Sequence, residues 1–165
     1  MNTLSFSGLR ADVKRELIDL QRVVRECQDV VQHEEWPDLA FTRTLGSLLH
    51  DFYTGVEKIL QRIALRLDGD LPAGPNWHVQ LLRRMATPVE QVRPAVLDEA
   101  TTQALEEYLR FRHIFRAVYG FELRRARLRE LATDLPSVFV TLQAQLTYFL
   151  EFLQALDTPT IEDEG

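Results

Sequence analysis

This chain of 165 residues has one cysteine, two lysines and no apolar run long enough to cross a bilayer. Cys27 has no partner for an internal disulfide, and its place among apolar residues at helical spacing makes it a core residue rather than a nucleophile. The start "MNTLSFSGLRADVKREL" carries neither a basic leader nor an apolar signal core. The expectation is therefore a soluble protein of the reducing cytoplasm with no membrane partner. No Gly-rich phosphate loop occurs, and the histidines at 33, 50, 78 and 113 form neither Glu-x-x-His pairs nor a His-Glu-x-x-His motif. No metal and no cofactor are expected. The Gly46-Ser47 pair in "LGSLLHDFYTG" lacks the metal-binding aspartates that nucleotidyl transfer needs downstream. This chain is not itself such a transferase.

With lysine so scarce, basic charge is almost all arginine. The net charge of -6 argues against nonspecific coating of nucleic acid. Residues 110 to 129 run the other way, with seven arginines against a single acid, Glu122. Phosphate is one partner for such a stretch; a solvated helix face paired with acids elsewhere is the other reading.

Apolar residues at Leu9, Val13, Leu17, Leu20, Val24, Cys27 and Val31 step by three and four, which predicts a long amphipathic helix with Ser7 as candidate N-cap. Pro37 ends that pattern, and Asp38 starts a second helix with its seam at Leu45, Leu49, Phe52, Val56, Ile59 and Ile63. Asn76 is placed to cap a short third helix, "WHVQLLRRMA", read as a packing brace with Trp77 buried. A fourth helix begins near Asp98, with Glu99 in its first turn. A last one carries Leu128, Leu131, Phe139, Leu142, Leu146, Phe149, Leu150 and Leu153, with Pro136 as a kink or restart. The expected fold is all-α, an antiparallel bundle of four long helices plus a short one over residues 1–157, followed by an acidic, disordered tail over 158–165.

On the fourth helix the seam runs through Leu105, Tyr108, position 112, Phe115 and position 119, and two of these are Arg112 and Tyr119. A guanidinium on an apolar seam needs a pair or a wet cleft. Arg112 could stack on Tyr108, pair with an acid, snorkel, or serve a site. On a continuous helix Arg112, Arg116 and Tyr119 share a face, with the forks and phenol of a phosphate or nucleotide site. His113 is a possible general base. On the second helix His50, Tyr53 and Glu57 fall on one face, read as a hydrogen-bonded ladder, and Glu57 is a candidate partner for a motif arginine.

"LHDFYTGVEKILQRIA" (49–64), "NWHVQLLRRM" (76–85) and "FRHIFRAVYGFEL" (111–123), in this order, resemble the HepT-like ribonuclease toxins of the HEPN superfamily. The resemblance implies a homodimeric helical bundle that cleaves RNA without a metal, at a cleft shared by the two subunits. There an arginine, four residues, a histidine, one residue and a tyrosine form the catalytic motif. The arginine falls on Arg112 and the tyrosine on Tyr119. His113 takes the polar place after the arginine, and Arg110 and Arg116 become RNA contacts. Ala117 stands where the family has its histidine, so this form is expected to cleave poorly or not at all. The resemblance also implies a partner, a minimal nucleotidyltransferase antitoxin that transfers AMP to the motif tyrosine, here Tyr119. Two other readings stay open: a noncatalytic helical module that binds the transferase or a nucleotide, and an adaptor whose arginines form a salt-bridged interface.

Overall fold

The computed structural model describes residues 5–33 and 35–158. Five α-helices make up the fold: α1 (Ser7–Val31), α2 (Asp38–Ile63), α3 (Trp77–Arg84), α4 (Glu99–Ala117) and α5 (Arg125–Asp157). A π-helical turn, Ala64–Asp68, extends α2, and a 3-10 turn, Gly120–Glu122, precedes α5. No strand occurs among the described residues; one isolated bridge pairs Val89 with Arg93. The acidic tail falls almost wholly outside the described residues, which end at Thr158.

Periodicity translates directly into burial. Leu9 through Cys27 on α1 and the six seam residues of α2 are buried, as are all eight apolar positions named on the last helix. At the end of α1 the fully buried position is Val30, with Val31 half-buried beside it. Each such Leu or Ile contributes about 1.5–3 kcal/mol by leaving water. Trp77 is only half-buried, packed on the core edge.

Helix ends are less regular than the sequence suggests. Ser7 is the first helical residue of α1 and its side chain caps nothing; the Phe6 amide instead donates to the Asp157 carboxylate at 2.9 Å. Asn76 stands at the N-cap of α3 without a side-chain bond. Asp98 does cap α4, accepting from the Thr101 amide at 2.7 Å. Pro136 sits inside α5, which runs through it unbroken.

Arg93 fixes the connection between α3 and α4. Its side chain is fully buried and grips Asp68 at 2.7 and 2.9 Å while donating to the Thr87 carbonyl at 3.0 Å. The loop is thereby tied to the end of α2, which sets α3 beside α4. At the other end of α4, a side chain at Gly46 would meet the Phe115 ring at 2.9 Å, so the glycine lets that ring lie directly on α2.

Candidate functional site

Arg112 is buried on α4, at 6% exposure, and the acid that neutralises it is Glu57 on α2, also buried. Arg112 Nη2 donates to Glu57 Oε1 at 3.1 Å. Its guanidinium lies 5.3 Å from the centre of the Tyr53 ring, so Tyr53 rather than Tyr108 is the aromatic beneath it. Tyr108 is occupied elsewhere, donating its hydroxyl to the Leu131 carbonyl at 2.8 Å.

The other oxygen of Glu57 holds a residue that the sequence does not mark. His78 Nδ1 lies 2.6 Å from Glu57 Oε2 and 3.1 Å from Arg112 Nη2. An arginine nitrogen only donates, so Nδ1 cannot carry a hydrogen and also accept from Arg112. The shorter contact to a carboxylate decides the tautomer: Nδ1–H donates to Glu57, and Arg112 turns its donors to the same carboxylate. Trp77 stacks on the imidazole with ring centres 3.7 Å apart, fixing its plane. Periodicity reads His78 as packing for a brace, since nothing in the short α3 sequence reports that Glu57, twenty-one residues earlier, lies across from it.

Of these groups His78 and Arg112 reach an open cavity of about 360 Å³, lined by His78, Leu109, Arg112, His113, Arg116 and Ala117. A second cavity of about 440 Å³ adjoins it along α3 and shares His78, Leu109 and His113, with Arg110 at its edge. Arg112, His113, Arg116 and Ala117 therefore meet, with His78 added from α3. Arg116 is exposed and makes no ion pair or hydrogen bond among the described residues, whereas Arg110 is tied to Glu107 at 2.8 Å. Much of the arginine run is paired in this way: Arg127 with Glu107 and Arg125 with Asp38.

Two expected groupings fail. Tyr119 does not continue the face of Arg112 and Arg116, because α4 stops at Ala117 and Val118 is extended (φ -120°, ψ 158°). Its β-branched side chain and the glycine at 120 both disfavour another helical turn. Tyr119 is instead 71% exposed, its ring stacked parallel to Phe121 at 5.3 Å, and its amide donates to Glu122 at 3.1 Å. Secondly, His50, Tyr53 and Glu57 form no ladder. His50 packs on Phe115 at 5.4 Å with Asp51 beside its Nδ1 at 3.6 Å, and the Tyr53 hydroxyl is buried without a hydrogen-bond partner. Burial, reinforced by the Glu57 charge, pushes the Tyr53 phenol well above its ordinary range. Ala117 is exposed at the cavity edge, and an alanine there supplies no proton-transfer group.

Among the described residues no group of three or more His, Cys, Asp or Glu is placed to hold a metal, and no helix is long and apolar enough to cross a membrane. With helices and no strand among its described residues, the chain is an all-helical protein in which a buried arginine on one helix is locked by a carboxylate on another at the wall of a cleft. More narrowly, the family model described as HepT-like protein matches residues 44–153, two thirds of the chain, and the chain belongs to that family. No curated protein and no solved structure matches it.

Proposed function

We propose that this chain is the toxin half of a toxin-antitoxin pair, a metal-independent endoribonuclease of the cytoplasm whose cleft is completed by a second copy of the chain. The observation that carries this reading is the cavity where buried Arg112 meets His113 and Arg116, the latter without an ion pair among the described residues. Two guanidiniums at one cleft suit an RNA phosphate, and Arg112 is held in place before any ligand arrives. A twofold dimer would set two such pairs around one strand. Exposed Tyr119 suits modification by a nucleotidyltransferase antitoxin. An AMP group there, two residues past Ala117 at the cavity edge, would add negative charge and bulk and so oppose RNA phosphate.

Ala117 weakens the chemistry, because loss of a positioned acid or base costs on the order of 10²–10⁴ in rate. The test compares this chain with Ala117→His on a mixed RNA pool, a metal chelator present throughout. The histidine variant is expected to cleave about 10²-fold faster or more. If neither cleaves while both are folded dimers, Ala117 instead marks a noncatalytic module that binds a transferase or nucleotide through Arg112 and Tyr119.

A further inference from the structure

We propose that the cleavage this chain performs with Ala117 in place uses His78, on α3, as its proton acceptor. The proposal rests on the ribonuclease reading above. Its observation is the Glu57–His78 pair beside Arg112, in the wall of the cavity that Ala117 edges.

Glu57 acts on His78 as a buried carboxylate acts on any catalytic imidazole. It receives the Nδ1 hydrogen at 2.6 Å and holds the ring in the tautomer whose Nε2 has a free lone pair. Nε2 makes no hydrogen bond to the described residues, and the ring lines both cavities. The carboxylate, at 7% side-chain exposure, is already dry, so its orienting effect does not depend on closure of the cleft. One carboxylate thus serves two groups, locking Arg112 with Oε1 and His78 with Oε2. The charged or titratable groups facing the imidazole or sharing its cavities are Glu57 from α2 and Arg110, Arg112, His113 and Arg116 from α4.

The step balances without a further reactant. His78 Nε2 takes the proton of a ribose 2′-hydroxyl, whose oxygen forms a bond to the adjacent phosphorus while the bond from phosphorus to the 5′ oxygen breaks. Arg112 and Arg116 neutralise the charge that gathers on the phosphoryl oxygens. The departing 5′ oxygen takes a proton from water, and the hydroxide left behind is neutralised by the imidazolium. The products are a 2′,3′-cyclic phosphate and a 5′-hydroxyl, with no net proton released.

His78→Asn tests this, because the asparagine amide nitrogen reproduces Nδ1–H toward Glu57 but offers no base. Cleavage of a single-stranded RNA, with chelator, is followed from pH 5 to 9 for the native chain, His78→Asn, Ala117→His and the double variant, with each fold verified by circular dichroism and thermal melting. His78→Asn should lower the native rate about 10²-fold or more, and by a smaller factor in the Ala117→His background, where a second base stands. If Ala117→His cleaves but the native chain does not, or if His78→Asn stays within about threefold of native with the same profile, His78 is not the acceptor and the ribonuclease reading survives. If no variant cleaves, Ala117→His included, the ribonuclease reading falls and this proposal with it.

Discussion

At the scale of single residues, Glu57 carries the most consequence. Among the described residues it is the only carboxylate bonded to buried Arg112, so Glu57→Ala leaves a guanidinium without a counter-charge in an apolar wall. The expected loss is about 3–5 kcal/mol in urea unfolding, and a Glu57→Met, Arg112→Met pair should recover most of it. Removing one partner strands a buried charge; removing both does not. Tyr53→Phe makes the opposite prediction. Its hydroxyl is buried without a protein partner, so deleting the oxygen should leave stability unchanged or raise it by up to about 1 kcal/mol, read as an unaltered or higher melting temperature. Much of this cluster was legible in sequence. Arg112 stood on an apolar seam and demanded a partner, and Glu57 was a candidate. His78 was not legible, because its role depends on an approach between α2 and α3 that neither helix encodes by itself.

At the scale of elements, helices were read well and their ends less so. Periodicity reports which face is buried, and α1, α2 and α5 carry it over six to nine turns. End chemistry is decided by one or two bonds, some of them from distant chain. Asp98 is the local kind. Its carboxyl is held below the usual range first by its bonds to Thr101, so the carboxylate adds stability above the unfolded-state value and that contribution is lost as pH falls through the folded value. Asp98→Ala should cost about 1 kcal/mol at neutral pH, and the gap from the native chain should narrow in acid unfolding curves. The end of α4 matters more for function. By stopping at Ala117 it takes Tyr119 off the arginine face and displays it on a separate turn, which the apolar pattern of α4, running on to position 119, concealed.

Across the whole molecule, buried acids of high pKa set an alkaline limit. Burial pushes the Cys27 thiol from 9.0 up to about 12 and raises the phenols of Tyr53 and Tyr108. The folded chain keeps protons that the unfolded chain releases, so stability should fall as pH rises above about 9, seen as a declining urea midpoint between pH 8 and 10.5. Charge placement gives a second global test. Arg116 is exposed and bonded to no acid among the described residues, so Arg116→Ala should shift stability by less than about 0.5 kcal/mol. If it meets one phosphate, the same change lowers the slope of log affinity for single-stranded RNA against log salt by about 0.7.

The bond from the Phe6 amide to Asp157 closes the described chain almost into a ring, with Arg66 donating to the Ser5 carbonyl at the same pole. Tyr119 and Gly120 lie at the opposite pole, where Arg43 covers the glycine. Twenty-three residues of continuous helix separate Arg43 from Arg66, a span of about 35 Å. Helix order is therefore loosely bound to covalent order: a short linker joining the two ends, with a new opening between α2 and α3, should give a circular permutant that folds the same way.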